Sequence, residues 1–467
     1  MQNWKTKAVS YWSDNKEWLM LFIFSIYVRV QYLGMRRDFW HDESFQYLYS
    51  LKPISFILNG NDVHPPLFNL VAKVIIKIVG NNVTLLRFLG ASLFSVLFIL
   101  VVYVLVREMF SKQAAFFTGL VLSVSLTFIQ YSAEFRNYSW TLFFVAAQIL
   151  YFNRWLVYRK LSHSVGYIAL SLIMVYSHYL AGLVLLVQIL YIILLRWRNL
   201  LPAKSLLSYF SCLSIIGYLS IPLAYYTVLM SQKVGTFWFK NINFYSLLST
   251  FLYIITPPLS QPIGTATALY GITLYGVWHY RKDLNRFHIQ MAMYLVIPIL
   301  LMWTLSVTVL QFYHHRYFIF GAIGLFVVFG WVLSKIEESE SELGWIAFGT
   351  YALLCGAAFT HGFAPDHTIA DSTDALKAYA GNTSYITVHS SQFSGAPFRV
   401  YIPDHEHYLL TNFTEREMYA AGGSIWNESM KVHSLSELPN ITTYWVSDRL
   451  MSGKIIFNQG GLYVVKI

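Results

Sequence analysis

Few carboxylates, guanidinium groups and histidines interrupt the apolar stretches of this chain, and those few carry the first information about chemistry. Asp42 and Glu43 stand side by side in FWHDESFQYLYS (39–50), and Asp62 and His64 follow in DVHPPLFNLVAK. Acids so placed can take the proton of an attacking hydroxyl, ligate a cation, or cap a helix start. Arg29 sits inside an apolar run, Arg136 and Arg316 each lie next to a tyrosine or one residue from it in FRNY and HRYF, and Lys73 and Lys77 are one helical turn apart. Guanidinium groups grip phosphate oxygens in pairs, and cations absorb charge developing on a phosphate leaving group. Acid plus cations is thus equipment for moving a group from a phosphate to a hydroxyl. Each residue also has a plainer reading. Asp42 serves as a loop acid or N-cap, and Asp62 as a cap that holds His64. Arg29 snorkels to the interface, and Arg136 and Arg316 anchor helix ends. His178, in YSHYLAG, packs as a hydrogen-bonded histidine.

The elements that must position these groups are membrane helices. The 467 residues are 56% hydrophobic and 12% charged, with a mean hydropathy of +0.49, whereas a soluble domain carries about 25% charged residues. Windows long enough to cross a bilayer recur along most of the sequence. About eleven are placed, near 18–35, 84–106, 114–131, 137–156, 164–180, 182–196, 206–229, 264–279, 290–310, 317–333 and 344–361. The formal charge of +10 fits Lys and Arg collected in cytoplasmic loops, not a nucleic-acid partner. Cys212 and Cys355 fall in apolar runs and imply no disulfide framework. Lys5 and Lys7 precede an apolar stretch without a small-residue cleavage site, so that stretch reads as a retained first span.

Alternate loops hold Arg107 and Lys112, then Arg154, Arg159 and Lys160, then Arg196, Arg198 and Lys204, then Arg281, Lys282 and Arg286. The positive-inside rule puts these in the cytoplasm, the N-terminus with them, and the loop 36–83 outside. An odd number of spans puts the C-terminus outside too. In that first outer loop Pro65 and Pro66 open a helix. Leu67, Leu70, Val71, Val74 and Ile78 form an apolar stripe opposite Lys73 and Lys77, predicting an interfacial helix. A second is placed at 44–57. After 361 the composition changes: YITVHSS and LYVVKI read as strands and DALKAYA as a helix, a small extracytoplasmic α/β domain over 362–467. Its four N-x-S/T sequons, at Asn382, Asn412, Asn427 and Asn440, support exposure on that side.

Arg29 at the end of a first span, then the Asp42–Glu43 pair, then HPPL and an amphipathic helix resembles the opening of the polyprenyl-phosphate-sugar-dependent glycosyltransferases. These include the dolichyl-phosphate-mannose protein mannosyltransferases and the lipid A aminoarabinose transferases. The likeness continues through LLRFLGASLFSVLFILVVYVLVREMFSKQAAFFTGLVL and QYSAEFRNYSWTLFF, and returns at YSHYLAG and HHRYFIF. It implies a polytopic, mainly α bundle of the GT-C type and an inverting glycosyltransferase taking a sugar from a polyprenyl phosphate to an acceptor hydroxyl. By that analogy Asp42 is the general base. Glu43 orients the acceptor or binds a cation, and Arg29, Arg136, Arg316 and Lys73 surround the donor phosphate. Asp62, His64, Tyr138 and His178 line the acceptor side. No obligatory metal is expected, although Asp42, Glu43, Asp62 and His64 include suitable donors for a divalent cation. The chief alternative is a transporter or flippase of lipid-linked sugars, which needs no acidic pair on a long outer loop and often shows repeated halves. A polysaccharide polymerase or ligase is a further rival.

Overall fold

The computed structural model describes residues 2–35, 38–233, 242–256, 263–308, 313–340, 342–362, 368–410, 425–426, 430–439, 441–447, 453–459 and 462–467. α1 (Gln2–Met35) is followed in the first long loop by α2 (His41–Leu51), α3 (Ile54–Leu58) and α4 (Leu67–Val79). α5 (Val83–Arg87) passes through a π-helical turn at Phe88–Ser92 into α6 (Leu93–Met109). Then come α7 (Lys112–Val124), α8 (Leu126–Ser132), α9 (Asn137–Tyr158), α10 (Leu161–Ser177), α11 (Leu183–Trp197) and α12 (Ala203–Leu219). α13 (Ile221–Lys233), α14 (Phe244–Tyr253), α15 (Ile263–His279), α16 (Arg286–Thr308), α17 (Ile319–Ser339) and α18 (Leu343–Gly362) complete the bundle.

The chain is a multi-pass membrane protein with a mainly helical fold. Among the described residues six helices are long and apolar enough to cross a bilayer, and eight if two bent pairs, α7 with α8 and α12 with α13, each count as one. The eleven windows of the sequence are not reached by this measure. α10 and α15 have 17 residues each and α14 has 10, short of a full crossing. α9 is long enough at 22 residues, but its buried face carries Asn137, Ser139, Gln148 and Asn153.

α17 is the axis, buried over most of its length against α7 and α16. The approach to α16 is backbone to backbone: a Cβ at Gly324 would collide with the Met291 carbonyl oxygen, and one at Gly321 would fall 2.8 Å from that of Tyr294. Small residues give lipid-embedded helices this contact.

The bend between α7 and α8, 61°, leaves the last carbonyls of α7 without helical partners. Arg29 supplies them. Its Nη1 donates to the Ser123 carbonyl, its Nη2 to that of Leu122 (3.1 Å) and its Nε to Ser95 Oγ (3.3 Å). A charge inside a span needs a partner, and here the partner is the broken helix. The phosphate role expected for Arg29 is therefore not its place in the structure.

Beyond α18, α19 (Thr368–Ala380) and α20 (Gln392–Tyr401) accompany six strands: β1 (Ile386–His389), β2 (Glu406–Leu410), β3 (Lys431–Val432), β4 (Thr443–Ser447), β5 (Lys454–Gln459) and β6 (Leu462–Lys466). Their order is β3-β2-β1-β4-β6-β5. β1 runs parallel to β2 and β4, while β6 is antiparallel to both β4 and β5. Central β1 is buried at every residue, as a strand covered on both faces must be. Asn382 lies exposed in the turn after α19; Asn412, Asn427 and Asn440 lie outside the described residues.

The core of this sheet holds two neutral histidines. His407 Nε2 donates to the Ile402 carbonyl at 2.8 Å, so its Nδ1 accepts from Thr387 Oγ1 at 2.6 Å, and Thr387 in turn accepts from His389 Nε2 at 2.9 Å. Burial lowers His407 to about 4 and His389 well below the ordinary histidine value; Arg399 lowers both, His405 lowers His407, and the two rings lie 5.6 Å apart. The unfolded chain binds these protons near pH 6.5 and the fold does not, so stability is full above pH 6.5 and declines as pH falls towards 4. For His407 the loss is on the order of 3 kcal/mol. Thermal unfolding between pH 7.5 and 4.5 measures it, and His407→Gln flattens the dependence.

Candidate active site

The acids owe their places to the start of α2. Trp40 is its extended N-cap, and Asp42 and Glu43 occupy the first turn, where negative charge suits the helix dipole. Neither acts as the N-cap. Consecutive helical residues point apart, and the two acids have opposite environments.

Asp42 faces outward. Its side chain is 24% exposed and its Oδ2 accepts from Arg316 Nη1 at 3.0 Å, with the Arg316 side chain 22% exposed. The Asp42 carbonyl accepts from Arg136 Nη1 at 3.2 Å, and the Arg316 guanidinium lies over the Trp40 ring at 5.8 Å. Glu43 is fully buried. Arg87 Nε donates to its Oε1 at 2.9 Å and Arg87 Nη2 to its Oε2 at 2.7 Å, and the Phe135 N–H adds 2.7 Å to Oε1. Both oxygens are engaged, so the acceptor-orienting or cation-binding role expected for Glu43 does not fit where it lies; it anchors α2.

Arg136 and Arg316 reach Asp42 from two helix starts. Arg136 is the extended residue before α9, 5% exposed, and its Nε is buried without a hydrogen-bond partner among the described residues. Arg316 lies in a 3-10 turn, His315–Phe318, capped by His314, whose Nδ1 accepts from the Arg316 N–H at 3.2 Å. Burial lowers His314 to about 2, which keeps that nitrogen an acceptor. His178 does the same for Tyr179–Gly182: Nδ1 accepts from the Leu180 N–H at 3.3 Å, so the ring proton is on Nε2, and Nε2 is buried without a partner among the described residues. The His178 ring lies 5.5 Å from His64, 6.2 Å from Tyr138 and 5.9 Å from Tyr317. Behind it Leu180, Tyr317, Phe320 and Gly321 line a small cavity that extends to Tyr294 and Pro298.

Asp62 is buried and oriented. Asn69 Nδ2 donates to its Oδ2 at 2.9 Å and the His64 N–H to its Oδ1 at 3.1 Å, while Tyr226 holds the 62 and 64 carbonyls. Burial raises the Asp62 carboxyl, opposed by Arg136, and burial with Arg136 lowers His64 well below its usual value. Asp62 thus braces His64 as expected, but the helix cap is Pro66, without a side-chain bond. Among the described residues no group of three or more His, Cys, Asp or Glu gathers as a metal site.

α4 presents Phe68, Asn69, Ala72, Ile75 and Ile76 to the protein and leaves Val74 and Ile78 exposed. Of the stripe read from the sequence, Val74 and Ile78 face outward, while Leu70 and Val71 pack against the core. Lys73 Nζ points back to α2 and donates to the carbonyls of Ser50 (3.1 Å), Leu51 (3.2 Å) and Lys52 (2.8 Å). A cation on the last carbonyls of a helix is a cap, so Lys73 is placed to hold α2, not a phosphate. We expect Lys73→Met to cost about 1–2 kcal/mol in unfolding and to leave the donor KM within twofold. The helix predicted at 44–57 is divided at Pro53, which forces Lys52 extended.

Sequence reasoning missed Arg87, Trp40 and Tyr317. Arg87 had a signal, a lone cation at the start of an apolar window, whose insertion cost demands a buried partner. Trp40 had none among so many aromatics, and Tyr317 was noted only as the tyrosine beside Arg316.

The fold is that of the C-type membrane glycosyltransferases, and the sequence segment that contains Arg87, Arg136 and His178 carries the family match. Residues 63–221 match the family model described as dolichyl-phosphate-mannose-protein mannosyltransferase. The chain is a glycosyltransferase, as the resemblance implied. It superposes on ArnT from Cupriavidus metallidurans in the apo state with a TM-score of 0.65 at 14% identity, covering 97% of this chain and 98% of that one. Bound to undecaprenyl phosphate, ArnT gives 0.63 at 15%, covering 96% and 98%. The archaeal oligosaccharyltransferase AglB from Archaeoglobus fulgidus, with an inhibitory peptide and a dolichol-phosphate, gives 0.52 at 12%, covering 94% and 70%. No curated protein matches the sequence.

Proposed function

We propose that this glycosyltransferase moves a sugar from a polyprenyl-phosphate donor to an acceptor hydroxyl at the extracytoplasmic face, with inversion. One observation carries the proposal: a partly exposed carboxylate, Asp42, held by Arg316 beside two buried donors, Arg136 Nε and His178 Nε2, that have no partner among the described residues. Buried donors cost free energy unless something accepts from them, and a phosphate oxygen is the acceptor that suits a guanidinium. The acceptor oxygen attacks the anomeric carbon and gives its proton to Asp42. The bond from that carbon to the phosphate oxygen breaks on the opposite side, and the polyprenyl phosphate leaves with the electron pair, its charge met by the arginines. Loop 38–83 and both caps lie together, in keeping with an N-terminus inside and the C-terminal sheet outside. The reading includes no obligatory metal, since Asp42 meets a guanidinium and the oxygens of Asp62 are already bonded, so EDTA leaves the rate unchanged.

The test is transfer by the purified protein from a panel of labelled polyprenyl-phosphate sugars, with the product anomer assigned by NMR. An inverted product is expected, and Arg136→Met raises the donor KM by about 10- to 100-fold. Retained configuration, or movement of intact donor across vesicles without transfer, overturns the proposal.

A further inference from the structure

The residues just before α2 are held by the C-terminal part of the chain. The Phe39 N–H donates to Tyr401 Oη at 2.8 Å, a contact across 362 residues of sequence. Asp38 Oδ2 accepts from the Ala370 N–H at 2.8 Å, in the first turn of α19, where backbone donors are unpaired and negative charge is favoured. Arg87, already bound to Glu43, also donates to the Asp38 carbonyl. α20 lies along α2: Phe39, Phe45, Leu48 and Tyr49 share one apolar cluster with Ala396, Val400 and Trp426. Burial pushes Tyr401 up to about 12, so the clasp keeps its phenol at every working pH.

We infer that Tyr401 and Asp38 are positioning residues that fix the Asp42 carboxylate from the C-terminal domain. Asp42 is only three residues beyond Phe39, and Trp40, the N-cap between them, also carries the Arg316 guanidinium over its ring. A shift of Phe39 therefore turns the first turn of α2 and moves Asp42 against its two arginines, and small misplacements of a base are expensive in rate. The C-terminal domain is thus a wall of the active site and not only support for the fold.

This inference rests on the proposed role of Asp42, and the experiment separates the two. Hydrogen exchange of residues 38–45 in the full-length protein reads the clasp without any substrate. Tyr401→Phe and Asp38→Ala accelerate that exchange about tenfold or more and leave the β1 and β4 amides unchanged. Asp38→Asn, which keeps an acceptor oxygen, stays near wild type. In transfer assays Tyr401→Phe lowers kcat about tenfold with donor KM within twofold, and adds no further loss in an Asp42→Asn background. Unchanged exchange, or equal loss in both backgrounds, overturns the inference. A wild-type rate for Asp42→Asn overturns the assigned base instead, and leaves the exchange result to decide the clasp.

Discussion

Asp42→Asn transfers sugar about 10²- to 10⁴-fold more slowly than the parent enzyme, the span a positioned general base contributes. The amide keeps an oxygen for Arg316 and keeps the shape of the first turn of α2, so unfolding temperature and donor KM hold within error. Only proton removal is lost. Single-turnover transfer measures the effect, because it excludes product release. A loss under tenfold would remove Asp42 as the base. Glu43→Gln is the control. Its carboxylate is saturated by Arg87 and the Phe135 amide, so its loss appears first in stability and only through α2 in rate.

Arg87→Ala destabilises the protein by about 3–5 kcal/mol, the cost of stranding one member of a buried ion pair. Both side chains are fully buried. The loss is larger than for a surface pair such as Arg154–Glu108, with side chains 27% and 33% exposed, where 0–1 kcal/mol is usual. Arg87→Leu with Glu43→Leu recovers part of the loss, since no uncompensated charge remains. The Asp38 carbonyl and the Phe135 amide still lack partners, so recovery is incomplete. Unfolding in detergent ranks the three proteins, and equal stability for Arg87→Ala and wild type would refute the bridge as an anchor.

Much of the site could be read from the sequence because the membrane makes polar residues conspicuous. Asp42, Arg136 and Arg316, far apart in the chain, meet as expected, and His64 and His178 face each other across 5.5 Å. Arg29 and Lys73 show where such inference fails. Insertion cost demands that a buried cation have a partner, but a broken helix and a helix end are partners as good as a phosphate. Backbone carbonyls carry no sequence signature, so neither cap could be told from an anion site. Helix amphipathicity told only part of the story: the outer stripe of α4 was found, but lipid and protein are both apolar, and the second face, Phe68, Ala72, Ile75 and Ile76, that packs on the protein was not seen.

The sequence alone determined a membrane bundle with a mixed α/β end and an acid on its first long loop, because hydropathy and strand patterning are properties of local composition. Only the tertiary structure decided which of two adjacent carboxylates reaches the surface. The turn of α2 sends Asp42 to the guanidinium of Arg316 and Glu43 to that of Arg87. That choice is made by residues tens to hundreds of positions away, whose approach depends on how helices pack and not on the order of residues around 42.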